Sequence, residues 1–351
     1  MKPFGSPPHL SRSVVRRVAT IGVTATLASA CTPGASSISA AALPATAATE
    51  AQRPLSETVA TTAATSHVVI VSIDGLRPDA IGRFNATTIG RLAREGSHTF
   101  AATTINPSKT LPSHTSMLTG EGPDEHGITW NSNRTGAHAS LPVPTVFGVA
   151  RKSGLHTAAF FSKGKFNHLE VPGSLDYSQA PNGNGKWSAD RTVADVERYL
   201  TAHRPNLLFV HLAEPDNAGH LWGWMSTFYG RAVRKADAAV ARLMTAADQA
   251  YGAENYTIII TADHGGHGRT HGSTRAEDVK IPWIAWGKGV SPRMSIADSV
   301  RTMDTAGTAL WLLGVDAPDG WSGVAVRSAF TSDAQSASDQ AVDDDEASVM
   351  F

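Results

Sequence analysis

Three short segments carry aspartates and histidines at spacings suited to holding metal ions. Asp74 stands in Ser72-Ile73-Asp74-Gly75. Asp216 and His220 stand in Glu214-Pro215-Asp216-Asn217-Ala218-Gly219-His220. Asp263, His264 and His271 belong to the run from Thr261 to Gly272. Neutral imidazole and carboxylate are usual zinc ligands, and three of each could serve two four-coordinate ions with open positions. Taken singly, each has a plainer explanation. An aspartate after a strand is often a helix cap, and a lone histidine is usually a surface or packed residue. Six such residues at the ends of successive strands outweigh those single explanations. His267 lies in the same run and is a second candidate for the place given to His271.

A candidate nucleophile, Thr110, lies in Pro107-Ser108-Lys109-Thr110-Leu111-Pro112-Ser113-His114. Pro112 favours a helix that starts here and runs through Met117 to Gly120. Thr110 then falls at or near the N-cap, where free backbone N–H groups and the helix dipole favour negative charge and phosphate oxygens. Ligation of the hydroxyl by a metal would ease its ionisation further. Spacing alone leaves open whether Thr110 attacks a substrate or only caps the helix.

These residues need a scaffold that brings them to one place. His67 to Ile73, His156 to Phe161, Asn206 to Leu212, Tyr256 to Thr261 and Ile281 to Trp286 are short, β-branched apolar runs of the kind that form buried parallel strands. Helical patterns lie between them. Phe228, Ala232, Ala236, Ala239, Leu243 and Ala247 trace one face of a long helix, and Val193, Val196 and Leu200 trace another. Pro144 to Ala150 and Ala306 to Leu313 are further helices, the second stopped by Gly314. The alternation predicts an α/β domain over residues 67–330, with a mostly parallel central sheet and helices on both faces. In such sheets ligands bind outside the carboxyl ends of the strands, where the aspartates and histidines would converge.

The ends of the chain have another character. Lys2, Arg12, Arg16 and Arg17 precede a short apolar-to-small run from Val18 to Ala30, the pattern of a signal peptide over residues 1–30. Cys31, the only cysteine, follows at once. Two readings stand: a lipoprotein signal with an acylated Cys31, anchoring the protein to the outer face of a bacterial membrane, or ordinary cleavage after Ala30 and secretion. Residues 31–66 read as a disordered tether rich in Ala, Thr, Ser and Pro, and 331–351 as an acidic disordered tail. A single cysteine excludes a disulfide framework or a cysteine metal site within a monomer. A net charge of −1 gives no basic footprint for specific nucleic-acid binding.

With these residues and motifs in view, the chain resembles the alkaline phosphatase superfamily, and within it the type I phosphodiesterase/nucleotide pyrophosphatase family. The matching motifs are SIDGLRPD (Ser72 to Asp79), PSKTLPSHTSMLTG (Pro107 to Gly120), HGITWN (His126 to Asn131), EPDNAGH (Glu214 to His220) and ADHGGHGRTHG (Ala262 to Gly272), in the family's order. The resemblance implies an alkaline-phosphatase-like fold and two divalent ions, expected to be zinc. It implies Asp74, Asp263 and His264 on the ion that activates Thr110, itself a ligand, and Asp216, His220 and His271 on the second ion. Thr110 becomes the nucleophile that takes the phosphoryl group, and Asn131 a donor to a non-bridging phosphate oxygen. Related sulfatases need a cysteine or serine converted to formylglycine where Thr110 stands. Cofactor-independent phosphoglycerate mutases use serine and work in the cytoplasm.

The expected activity is cleavage of phosphodiester or pyrophosphate bonds in a nucleotide or similar small ester. Phosphomonoester hydrolysis is the alternative, because Lys163 and Lys165, just after a strand, resemble the basic pair some monoesterases of the superfamily set against phosphate. Pro172 to Trp187 is a candidate lid, and Trp222 and Trp224 are candidates to stack on a planar group or simply to pack. A phosphoryl transferase to an alcohol acceptor, and a binding protein that keeps the fold without catalysis, are the remaining readings.

Overall fold

The computed structural model describes residues 64–134 and 141–336. The segments expected to be a signal peptide, with Cys31, nearly all of the expected tether and most of the expected acidic tail, lie outside the described residues. The strands are β1 (Val68–Ile73), β2 (Ser97–Thr103), β3 (Thr157–Phe160), β4 (Tyr177–Gln179), β5 (Leu207–Leu212), β6 (Thr257–Thr261), β7 (Lys280–Gly287) and β8 (Met294–Ser295). The helices are α1 (Pro78–Arg83), α2 (Thr87–Glu95), α3 (Thr110–Thr119), α4 (Pro123–His126), α5 (Val146–Lys152), α6 (Ala189–Leu200), α7 (Glu214–Trp222), α8 (Thr227–Tyr251), α9 (Ala276–Val279) and α10 (Asp304–Leu312).

Eight strands form one sheet in the order β4-β3-β5-β1-β6-β7-β2-β8. The first five run parallel, β7 is antiparallel to both neighbours, and β8 is parallel to β2. The middle strands are mostly apolar because they are covered on both faces: every residue of β1, β5 and β6 is buried, the polar Ser72, His211, Thr257 and Thr261 among them. Val68 of β1 lies opposite Leu207 of β5 and Thr257 of β6, so these three strands end together at one rim. The expected α/β architecture is present. Helices α1, α2, α6, α7 and α8 pack in one group, and α3, α5 and α10 in another.

Local sequence explains the helix starts. Ser226, Ser188 and Thr145 each accept a backbone N–H from the first turn of α8, α6 and α5. Helix α2 lacks such a residue and is capped from outside: the Asp237 carboxylate accepts from Thr88 N at 3.1 Å and Ile89 N at 2.8 Å. One assignment on α8 is corrected. Tyr229, Val233, Ala236, Val240 and Leu243 are buried, whereas Phe228 is exposed. Strand β2 was not expected. It is only half buried, exposes Phe100 and breaks register between Thr99 and Ala102, which blurs its alternation. The packed domain also runs slightly past both expected ends. Ala64 and Ala334 are buried, Thr65 N donates to Leu312 O at 3.1 Å, and Thr331 N donates to Gly289 O at 2.9 Å. Among the described residues no helix is long and apolar enough to cross a membrane.

Candidate two-metal centre

The three aspartates follow the three adjacent central strands. Asp74 directly follows β1, Asp216 lies in the first turn of α7 after β5, and Asp263 lies just after β6. Gly75 lets them approach. Its φ is +71°, and a Cβ there would sit 3.0 Å from the Asp216 Cα. Its N–H donates to Asp263 Oδ1 at 3.1 Å, and Asp216 N donates to Asp74 O at 2.9 Å. Tyr229 Oη and Trp224 Nε1 both donate to Gly75 O, at 2.8 and 3.0 Å. Trp224 is therefore a packing residue, while Trp222 is exposed.

The side chains gather in two clusters, Asp74–Asp263–His264 and Asp216–His220–His271, with the ligand atoms of each within 4.8 Å of one another. Backbone carbonyls orient all three histidines. Nδ1 donates to Gly265 O in His264 (2.8 Å), to Arg269 O in His220 (3.0 Å) and to Ser108 O in His271 (2.8 Å). A carbonyl only accepts, so each Nδ1 carries the proton and each Nε2 presents a lone pair. His264 Nε2 faces Asp263 Oδ2 at 3.1 Å, and His220 Nε2 faces Asp216 Oδ1 at 3.2 Å. Asp74 Oδ1, Asp216 Oδ1 and Asp263 Oδ2 are buried without a hydrogen-bond partner. Acceptors facing acceptors in a buried site call for a cation between them. Two oxygens with one nitrogen, and one oxygen with two nitrogens, suit zinc or a similar divalent ion. The residues present fit the implied pair of metals.

Thr110 is the first residue of α3, next to the cap position held by Lys109, and no side chain caps this helix, so the capping role that spacing left open for Thr110 is not taken. Its Oγ1 lies 3.2 Å from His264 Nε2. The helix terminus offers less to an anion than expected: Leu111 N donates to Asn131 Oδ1 at 2.9 Å, and position 112 is proline. Asn131 Oδ1 also accepts from Lys165 Nζ at 3.0 Å. Its oxygen is thus committed, which leaves the amide NH2 as the group to donate.

Lys163 reaches deeper than a phosphate ligand would. Its ammonium lies 2.6 Å from Asp74 Oδ2 and 2.5 Å from Asp216 Oδ2, joining the two clusters. Burial opposes its charge, but these two carboxylates hold its pKa above the usual lysine value. Burial would likewise raise the Asp74 carboxyl, yet Lys163, His211 and His264 hold it well below the usual range. Asp263 is pushed well above that range by burial and then by the Asp74 charge. Burial and the neighbouring His271 push His264 down to about 3. Burial and the Lys163 charge lower Lys165 to about 8.

Behind the aspartates are two histidines that were not among the candidates. His211, on β5, accepts Ser162 N at Nδ1 and turns Nε2–H to Asp74 Oδ2 at 3.0 Å. His114 donates from Nδ1 to Thr110 O and accepts the Ser72 hydroxyl at Nε2, both at 2.8 Å. His267 pairs with Asp278 at 2.7 Å, and neither cluster includes it. The candidate lid supplies the edge strand β4 and a loop whose Lys186 donates to Asn217 Oδ1 of α7 at 2.6 Å. The first cluster is fully buried, whereas His220 is exposed and His271 half-buried, so the centre opens on the second cluster.

Residues 68–275 match the model of the type I phosphodiesterase / nucleotide pyrophosphatase family. The chain belongs to this family. Human ectonucleotide pyrophosphatase/phosphodiesterase family member 1 is 26% identical over 221 residues, 57% of this chain and 24% of that protein. Venom phosphodiesterase 2 of Crotalus adamanteus is 26% identical over 219 residues, 57% of this chain and 27% of that protein. The chain thus spans about a quarter of the length of these relatives. Among solved structures, murine ectonucleotide pyrophosphatase/phosphodiesterase 5 in complex with AMP superposes with a TM-score of 0.63 at 17% identity, covering 72% of this chain and 96% of that one. A 2-O GAG sulfatase gives 0.62 at 16% identity, covering 74% and 73%. These likenesses show the alkaline-phosphatase-like fold of the family.

Proposed function

We propose that this chain is an exported hydrolase of phosphodiester or pyrophosphate bonds that works through a phospho-threonine intermediate. One observation carries the reading: three histidines bound through Nδ1 to backbone carbonyls aim Nε2 at unpartnered carboxylate oxygens, with the Thr110 hydroxyl beside His264. Asp74, Asp263 and His264 would hold one divalent ion and Asp216, His220 and His271 the other. When bound, two such ions supply Lewis acidity that stabilises charge on the entering and leaving oxygens.

The protein's own groups supply the rest. Thr110 Oγ1 forms a bond to phosphorus as the bond to the leaving oxygen breaks. Water then displaces the threonine in a second step of the same kind. Asn131, its oxygen held by Leu111 N and Lys165, presents its NH2 to a non-bridging oxygen. Lys163 keeps Asp74 and Asp216 at a fixed spacing, and His211 turns Asp74 through a hydrogen bond that also fixes its own tautomer. Substrate enters and product leaves past His220, the open side.

A second reading, phosphomonoester hydrolysis, is favoured by Lys165. Lys163 is occupied by two aspartates, whereas the Lys165 ammonium lies beside Asn131 and adds positive charge where a doubly charged phosphoryl group would sit. The test compares a nitrophenyl phosphodiester with the monoester, for wild type and Lys165→Ala. Faster diester cleavage, little changed by the substitution, supports the diesterase. Faster monoester cleavage that collapses in Lys165→Ala supports the second reading.

A further inference from the structure

Seven large apolar side chains are exposed among the described residues, and three of them fall together at the corner between α7 and α8. These are Leu221 (64% exposed), Trp222 (53%) and Phe228 (45%). Trp222 and Phe228 stack on each other with ring centres 4.6 Å apart, and the Arg231 guanidinium lies 5.2 Å over the Phe228 ring. Residues 217–236 contain no carboxylate, while Arg231, Arg234 and Lys235 are all exposed. In a chain of net charge −1 this is a local excess of positive charge. The patch also has a definite place. Leu221 directly follows His220, so it borders the open side of the second cluster.

We infer that this aromatic and basic lip docks the protein on an anionic lipid surface, with the open side of the centre turned toward the headgroups. Preorganised aromatic rings at a corner can settle at the boundary between headgroups and acyl chains, and flanking cations draw them to negative lipid. A slot for a nucleobase would need a gap between the two rings, and here they already contact each other. Each cation near an anionic surface strengthens partitioning about fivefold, so three give about a hundredfold preference over a neutral surface. Only the orientation toward the headgroups rests on the proposed function; the docking itself does not.

The test is co-sedimentation of the zinc-loaded chain without residues 1–30 with phosphatidylcholine vesicles, with and without phosphatidylglycerol. The expected result is binding about a hundredfold tighter to the anionic vesicles, weakened by salt. Trp222→Ala with Phe228→Ala lowers that binding at least tenfold. Arg231→Gln with Arg234→Gln and Lys235→Gln removes the preference for anionic lipid. Both variants keep the wild-type melting temperature and the hydrolysis rate on a soluble nitrophenyl ester. Absence of vesicle binding, or variants that bind as wild type does, would overturn the inference. So would loss of soluble-ester hydrolysis in the aromatic variant, because the lip would then be a leaving-group contact. If the ester is not cleaved by any form, the proposed function fails while the vesicle result still decides the docking.

Discussion

Replacing Lys163 by methionine tests how the two clusters are joined. The ammonium is 4% exposed and makes contacts of 2.6 and 2.5 Å with Asp74 and Asp216. Methionine keeps the apolar stem and removes the charge. Taking away one partner of a buried ion pair costs about 3–5 kcal/mol, because the remaining charge has no compensation. Here the cost is capped, since a second carboxylate can take up a proton as Asp263 is already disposed to do. The low end, about 3 kcal/mol, is therefore expected. For a domain of this size that lowers the melting temperature by about 6–12 °C. The assay is thermal unfolding of wild type and Lys163→Met, first with a chelator and then with zinc. The gap should be full in chelator and shrink with zinc, as bound ions neutralise the same carboxylates. No gap in chelator would show that the ammonium does not neutralise these groups. A gap unchanged by zinc would show that Lys163 acts through packing.

Two further outcomes follow from the same geometry. His271→Ala should lower bound zinc from about two ions to about one per chain by elemental analysis, because a three-residue cluster loses a ligand. His267→Gln should leave it at two; the reverse pattern would exchange the roles of these histidines. Burial lowers the pKa of His126 to about 4, while its ring contacts Ser116 and the Ile128 amide. The unfolded value is about 6.5, so the neutral ring favours the folded state in full above that pH, and this contribution is lost as pH falls from about 6.5 to 4. The urea midpoint should drop over that window, and His126→Gln should flatten the drop; identical slopes would show that His126 is not the source.

Much of this was legible in the sequence because parallel strands buried on both faces are written as short, mostly apolar runs. The runs at β1, β5 and β6 located the strand ends, and with them Asp74, Asp216 and Asp263. The three histidines were legible as types near those ends, but not as oriented groups, since the Nδ1 partners are backbone carbonyls and carbonyls leave no mark in a sequence. His211 did leave a signal, a polar residue inside Asn206 to Leu212, and its value lay in Asp74, distant in sequence. Phe228 was misplaced because a six-residue helical stripe tolerates one member just outside the buried arc. Lys163 was legible as a cation near the rim. Its place between two aspartates was not, because that depends on β3 lying next to β5.

The most direct test of the central claim is to quench the zinc-loaded protein with acid during turnover of a nitrophenyl phosphodiester and analyse its peptides by mass spectrometry. The account predicts a phosphoryl ester on Thr110, absent from a chelated sample, with hydrolysis abolished in Thr110→Ala. Undiminished hydrolysis in Thr110→Ala, with no adduct on the wild-type threonine, would contradict it.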